Sequence, residues 1–351
     1  MVHNRNIFIY APDIHEGDAV GNHCIGLAKI CQRLGYNVHL CAQRYSSQYT
    51  EISIIDAVEL FDTIKIDDIL FVSYSILDSF LDSILELNCP KVCYYHDITP
   101  YDLLEKYEPV TASLCREAIS QLPKLSLFNK IIATSNFSKL RLAKHVPNIE
   151  ISVIPPVFKD SGLLNYDKPI VGETYSNFFD LLYVGRIVPH KRIEDVIKAF
   201  SLIGCSNTIK YRMFIVGSMP NYDYSKLLFN LARELGVADR ITFTGTLTDS
   251  ELAHRFITAD GYFTMSLHEG FCIPVLEAMH FDVPVIVRSG TAADDLLGSF
   301  TQNIVSVNDA TSVIEALISK QQSHKRYSDR AAEIILQTRD EVWDAIFSIY
   351  K

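Results

Sequence analysis

Two glutamates separated by seven residues, with a glycine and a proline between them, make the segment from Glu269 to Met279 the part of this sequence best equipped for chemistry. It follows an apolar run ending near Met265 and leads into a helical pattern. Pro274 suits the first helical position, where a missing N–H is not needed. Glu269 then falls in the loop and Glu277 in the first turns of the helix, so that both carboxylates face one site. Gly270 lets a ligand approach the main chain. The N–H groups of Val275 and Leu276, with the positive end of the helix dipole, offer an anion site suited to phosphate. Carboxylates beside an anion site conflict unless they accept hydrogen bonds from hydroxyls of a sugar and a ribose flanking the phosphate, which is the layout of a nucleotide sugar. The alternative is that both acids merely favour a helix N-terminus.

A second segment, Tyr183 to Arg192, leaves a strand, turns at Gly185, and presents Arg186 and Lys191 ahead of a helix starting near Ile193. Cations released at the carboxyl end of a parallel strand stand where ligands of open α/β sheets bind; a solvated basic loop is the plainer reading. In Tyr94 to Pro100, His96 ends a strand, either as a functional imidazole or as a strand-end cap. Near the first strand, Gly17 and Asp18 open the stretch Gly17 to His23. Gly217 and the stretch Gly245-Thr246-Leu247 end two later strands and are candidates for contact with a nucleotide base, although strand-end glycines are common turn formers.

The elements that must position these groups follow from periodicity. Apolar runs of strand length occur at Ile7–Tyr10, Val38–Cys41, Ile69–Val72, Val92–Tyr95, Ile131–Thr134 and Ile151–Ile154, with helical patterns between them, which specifies a parallel sheet covered by helices. Val20, Cys24, Leu27, Ala28, Cys31 and Leu34 share one helix face, and Gly35 stands at its left-handed end. After Pro155-Pro156 the stretch Lys159 to Ser176 has turn formers and no period, as a linker does. A second series follows, with strands at Leu181–Val184, Met213–Val216, Ile241–Phe243, Tyr262–Met265, Val285–Val287 and Ile304–Val307. Helices fall near 193–203, 223–235, 250–258, 274–281 and 309–320, one opened by a Thr248 to Glu251 capping box. From about Lys325 the pattern is helical, with Trp343, Ile346 and Ile349 on one face.

Composition narrows the classes. At 351 residues the chain can form about two domains. With 48% hydrophobic and 21% charged residues it should be globular. The 42 acids against 32 bases leave a formal charge of -10, which argues against nucleic acid as a partner. The run Ile7 to Tyr10 is too short for a signal peptide and no stretch suits a membrane-spanning helix, so a cytoplasmic location is expected. The eight cysteines form no C-x-x-C pair and read as buried thiols. Lys124, Lys130, Lys139, Arg141 and Lys144 form a stretch without acids, either a solvated helix face or a peripheral contact with anionic lipid at the inner face of a membrane. Dinucleotide, Walker and Gly-x-Ser-x-Gly motifs are missing from the sequence, and so is Asp-x-Asp, which leaves cations and helix termini rather than metal to hold a diphosphate.

The Glu269 to Glu277 segment, preceded by Ser266-Leu267-His268, together with Gly185-Arg186 and Lys191 in that order, resembles the retaining GT-B glycosyltransferases of family GT4. The tandem α/β pattern carries the resemblance across nearly the whole chain. It implies two Rossmann-like domains facing each other across a deep cleft: an acceptor domain over 1–158, a nucleotide-sugar donor domain over 159–324, and C-terminal helices over 325–351 free to pack back on the first. By the same resemblance Arg186 and Lys191 neutralise the donor diphosphate, Glu269 holds hydroxyls of the transferred sugar, and Glu277 holds the ribose. Main-chain amides of Gly270, Phe271, Val275 and Leu276 line the pocket, and His96 faces the donor sugar without need to act as a base. The His-Asp-Ile-Thr-Pro form is similar to mannosyltransferases of bacterial polysaccharide assembly. The expectation is a metal-independent, retaining transferase that needs no cofactor beyond a GDP- or UDP-sugar donor, GDP-mannose preferred, and acts on a glycan or lipid-linked glycan. A nucleotide-sugar epimerase and a non-catalytic nucleotide-sugar-binding subunit are the alternatives. Asp18 in place of a second glycine, Arg192 after the lysine, and Ile154-Pro155-Pro156-Val157 without Asn-Gly depart from the family pattern.

Overall fold

A computed structural model describes residues 5–15, 18–45, 52–157, 162–166, 178–204, 210–319 and 326–349. The chain divides into two compact units. The first joins Met1–Thr99, Ser113–Asp160 and Ile334–Lys351; the second joins Pro100–Ala112 and Ser161–Glu333.

The first unit is built on a parallel sheet of β1 (Asn6–Ile14), β2 (Asn37–Tyr45), β3 (Ile54–Asp56), β4 (Ile69–Tyr74), β5 (Lys91–Tyr95), β6 (Lys130–Ala133) and β7 (Ile151–Val153), in the order β3-β2-β1-β4-β5-β6-β7. Every residue of β4 and β5 is buried, as strands covered on both faces must be. Six of these strands coincide with the apolar runs. The seventh, β3, is a three-residue edge strand whose residues are half-buried or exposed, so it leaves no apolar run to read.

The helix Ala19–Arg33 buries Cys24, Leu27, Ala28 and Cys31 against β1 and β2, and Gly35 takes the left-handed conformation after it (φ 86°). A helix from the other end of the chain, Asp340–Ser348, returns to this core. Trp343 and Phe347 are fully buried there, whereas Ile349 is 64% exposed. The inward positions are therefore Trp343, Ile346 and Phe347, an i, i+3, i+4 stripe in place of the expected i, i+6 extension. Arg33 forks onto Asp340 at 2.8 and 3.0 Å across the same contact.

The second unit contains β8 (Phe178–Val184), β9 (Lys210–Val216), β10 (Ile241–Gly245), β11 (Gly261–Thr264) and β12 (Val285–Val287), all parallel, in the order β10-β9-β8-β11-β12. The expected strand Ile304–Val307 is corrected. Only an isolated bridge from Ile304 to Arg288 forms, because Ser306 already caps the helix Val307–Ile318 with a capping box to Asp309. The Thr248 to Glu251 capping box is present, with both reciprocal bonds made. The expected linker Lys159 to Ser176 lies mostly outside the described residues; within it Leu163–Asn165 form a single 3₁₀ turn. Seven of the eight cysteines are described, and all seven are buried thiols outside any disulfide; Cys205 lies outside the described residues. Among the described residues no helix is long and apolar enough to cross a membrane.

Candidate functional site

In the second unit three glycines end three adjacent strands. Gly185 N–H bonds Val216 O and Gly217 N–H bonds Gly245 O, both at 3.0 Å. A Cβ on Gly217 would lie 2.0 Å from Gly185 O, so only glycine allows these strand ends to approach. Beyond Gly185 the chain presents Arg186, exposed, whose guanidinium has no hydrogen-bond or ion-pair partner among the described residues. Leu247, past the end of β10, is half-buried.

Pro189–Lys191 forms a 3₁₀ turn that ends on Arg192 in the left-handed conformation (φ 53°). A non-glycine residue there is strained by about 1 kcal/mol. The strain is offset by an anchor: Arg192 forks onto Asp195 at 2.9 and 3.0 Å and reaches Glu194 at 2.8 Å. Arg288 binds the same Asp195 at 3.0 Å and donates to Met265 O and Val305 O. Arg192 thus departs from the family pattern for a local reason, and Asp195 and Arg288, which the sequence reading did not single out, hold its turn. The i, i+3 spacing of Arg192 and Asp195 was a legible signal; Arg288, far along the chain, had none.

Two loops then meet. Leu267 N–H donates to His190 O at 2.9 Å, and Lys191 Nζ lies 2.6 Å from Glu269 Oε2. The Glu269 side chain is 7% exposed and that of Lys191 19%, so this ion pair is largely desolvated. Cys272, buried beside Glu269, carries the loop into the helix Ile273–His280 in the left-handed conformation (φ 77°). Its thiol is held well above its ordinary range by burial first and by the Glu269 carboxylate second.

Two local expectations change. Ile273, not Pro274, is the first helical residue, which puts Pro274 second; and the N–H of Val275 donates to Cys272 O at 3.1 Å and so is engaged. Val275 and Leu276 are fully buried, Phe271 is buried too, and Gly270 is half-buried. Glu277 lies in the second turn of the helix. Burial, with a smaller contribution from the negative charge of Asp249, pushes its carboxyl up to about 8. At neutral pH it is therefore a carboxylic acid able both to donate and to accept a hydrogen bond. His190 is buried with Nδ1 unpartnered among the described residues, and burial followed by the Lys191 charge holds its imidazole down to about 2.

In the first unit, His96 stands one residue past β5, half-buried. Its N–H bonds Tyr74 O at 2.9 Å and its Nε2 lies 2.6 Å from Ser73 Oγ. Asp97 follows with φ 73° and a fully buried carboxylate. It accepts from Ile98 N–H (2.7 Å), Tyr95 Oη (3.0 Å), Arg141 Nε (3.1 Å) and Ser138 Oγ (3.3 Å). Arg141 also donates to Ile98 O. The basic stretch Lys124 to Lys144 is thus not a uniform charged face: Arg141 points inward to Asp97 and Lys124 pairs with Asp82 at 2.6 Å. Asp18 caps the helix Ala19–Arg33 through Val20 and Gly21 N–H. Gly17 lies outside the described residues. Gly21 is a position the sequence reading passed over: a Cβ there would lie 2.3 Å from His15 O.

Two units, each a parallel sheet covered by helices, are the architecture of the GT-B class, and known structures share it. The chain is similar to a glycosyltransferase from Rickettsia africae (TM-score 0.75, 15% identity, 99% of this chain and 98% of that one). It is likewise similar to HepE from Anabaena in complex with UDP-glucose (TM-score 0.71, 16% identity, 98% and 99%). The fold is that of the GT-B glycosyltransferases, and residues 169–334 match the family model described as glycosyl transferases group 1. O-antigen chain mannosyltransferase B of Escherichia coli is 23% identical over 163 residues, 46% of this chain and 42% of that protein. O-antigen chain mannosyltransferase RfbU of Salmonella typhimurium is 34% identical over 111 residues, 32% of this chain and 29% of that protein. These matches span less than half the length of the curated relatives.

Proposed function

We propose that the protein transfers a sugar from a nucleotide-sugar donor to a glycan or glycolipid hydroxyl in cell-surface polysaccharide assembly, with retention at the anomeric carbon. The observation that carries this reading is the Lys191–Glu269 pair. It joins the cation loop after β8 to the glutamate loop after β11 on the unit that matches the group 1 family. The charges suit the reaction. The bond between the anomeric carbon and the diphosphate oxygen breaks, charge accumulates on the diphosphate, and the sugar ring becomes cationic. Arg186 and Lys191 face the departing anion. Glu269 accepts from sugar hydroxyls while it keeps Lys191 in place, and neutral Glu277 exchanges hydrogen bonds with the ribose. Main-chain groups of Gly270 and Phe271 complete the contact, and Leu247 is the candidate for contact with the base. The acceptor oxygen attacks from the face the diphosphate leaves, forming the new glycosidic bond, and its proton passes to a leaving phosphate oxygen. Neither a side-chain base nor a metal is invoked.

Mannose from GDP-mannose is the preferred donor, in line with the mannosyltransferase relatives, and UDP-sugars are the second choice. The test is incubation of the purified protein with GDP- and UDP-sugars, with and without mannosylated oligosaccharide or glycolipid acceptors, followed by chromatography and proton NMR of the product. Transfer predicts acceptor-dependent release of free nucleotide and a product anomer matching the donor. Acceptor-independent conversion to an isomeric nucleotide sugar identifies an epimerase, and binding without turnover a non-catalytic subunit; either outcome removes the proposal.

A further inference from the structure

Behind His96 lies a short file of buried groups that the proposed reaction does not use. Ser73, in β4, is fully buried and its Oγ is 2.6 Å from His96 Nε2. Ser73 Oγ hydrogen-bonds no other nitrogen or oxygen among the described residues, and its other neighbour is the buried thiol of Cys24, in the helix Ala19–Arg33. His23, adjacent in sequence to Cys24, stacks on Tyr94 with ring centroids 4.1 Å apart and meets the His96 ring edge-on at 5.2 Å. His23 Nδ1 accepts from Val157 N–H at 2.9 Å, so its own proton sits on Nε2.

The direction of the Ser73–His96 bond follows from the acceptors on offer. Ser73 has one proton to give and two neighbours. A thiol sulfur is a weak acceptor and a usable donor, whereas the unprotonated nitrogen of a neutral imidazole is a strong acceptor. The Cys24 thiol stays protonated, pushed by burial up to about 12, and the His96 imidazole stays neutral, pushed by burial down to about 3. The buried Ser73 hydroxyl therefore gives its proton to His96 Nε2, the nitrogen it reaches at 2.6 Å. The imidazole proton is then left on Nδ1, which has no partner among the described residues on this half-buried side chain.

We infer that Ser73 is a positioning residue that locks His96 as its Nδ1–H tautomer, so that His96 meets a bound sugar as a hydrogen-bond donor to a hydroxyl oxygen. The sugar part of this inference rests on the proposed function; the tautomer does not. A donor of fixed direction discriminates among hydroxyl arrangements, because an epimer lacking an oxygen at that point leaves the N–H unpaired, at a cost of about tenfold in affinity.

The experiment is long-range proton–nitrogen NMR of ¹⁵N-histidine-labelled protein, wild type and Ser73→Ala, with Ser73→Thr as the variant that keeps the hydroxyl and His96→Gln to assign the signals. Wild type and Ser73→Thr are expected to carry the His96 proton on Nδ1, and Ser73→Ala to move a large part of it to Nε2, with thermal melting confirming that each variant is folded. A wild-type proton on Nε2 overturns the inference. So does an Nδ1 proton that persists unchanged in Ser73→Ala, since Ser73 is then not what fixes it. GDP-mannose and UDP-glucose are then added as probes. KM for the accepted donor is expected to rise about tenfold in Ser73→Ala and to recover in Ser73→Thr, with kcat changed less. If the tautomer shifts as described while no nucleotide sugar is turned over by wild type, the function proposed above fails and the Ser73–His96 lock stands.

Discussion

The strand-end loop after β5 in the first unit and the paired loops after β8 and β11 in the second carry the candidate chemistry in opposite ways. Around His96 the groups are neutral or paired: Ser73 holds the imidazole, and Asp97 accepts from Ile98, Tyr95, Ser138 and Arg141. In the second unit the groups are charged, with Lys191 and Glu269 answering each other and Arg186 exposed without a partner among the described residues. The difference teaches how each responds to a ligand. The first loop is preorganised and offers direction. The second holds opposite charges in contact, so that an anion brought beside Lys191 meets a cation already placed and largely desolvated, where electrostatic attraction counts for more than in water, while Arg186 meets it from the solvent side.

The contrast is broken most strongly at the cations. Lys191→Ala is expected to lower turnover by about 10²- to 10³-fold, the usual loss on removing one preorganised group aimed at developing charge. It should also lower the melting temperature, because Glu269 is left buried without its partner, a change that costs about 2 to 4 kcal/mol at a largely desolvated pair. Arg186→Ala should match it in turnover but not in melting temperature, since Arg186 holds nothing together. Steady-state kinetics and calorimetric melting on both variants separate the two effects; equal melting losses would put Arg186 in the structure rather than in the reaction.

On the neutral side, Arg141→Ala leaves the Asp97 carboxylate buried without its cation and is expected to cost about 3 kcal/mol of stability, read by chemical denaturation. The Glu277 carboxyl adds a pH dependence of known sign. Its folded value, up to about 8, lies above its unfolded value near 4.5, so the folded chain holds the proton more tightly. Stability is therefore lost as pH rises from about 4.5 to 8 and levels off above. Glu277→Gln should flatten that window, and at pH 7 it should bind donor much as wild type does, whereas Glu277→Ala binds it more weakly. The smallest effect belongs to a position outside both loops: Thr248→Ala removes a capping box at about 1 kcal/mol and leaves kinetics unchanged.

Much of this architecture could be read from residue order. The apolar runs located eleven strands because parallel strands buried on both faces are apolar throughout, and the Thr248 to Glu251 cap followed from a local rule. The edge strand β3 escaped because it is too short and too exposed to leave a signature, and Ile304–Val307 misled because the capping preference of Ser306 overrode its apolar pattern. Among the candidate site residues, Arg186, Lys191, Glu269 and His96 stand out in the sequence as residue types in segments that follow strands, and Glu277 by its place in the helix after Glu269. Their partners do not. Asp97 with Arg141, Asp195 with Arg288, and Ser73 with His96 join residues distant in sequence or drawn from different elements, and only the folded chain brings them within hydrogen-bond range. The left-handed conformations of Arg192 and Cys272 were hidden for a related reason: neither residue type favours it, and tertiary contacts impose it.

The claim beneath all of this is that Arg186 and Lys191 grip a nucleotide diphosphate. Isothermal titration of GDP and UDP into wild type, Arg186→Ala and Lys191→Ala tests it without any acceptor. The account predicts measurable binding of at least one nucleotide to wild type, weakened about tenfold or more in each variant and weakened further by added salt. Equal affinity in all three proteins would contradict it.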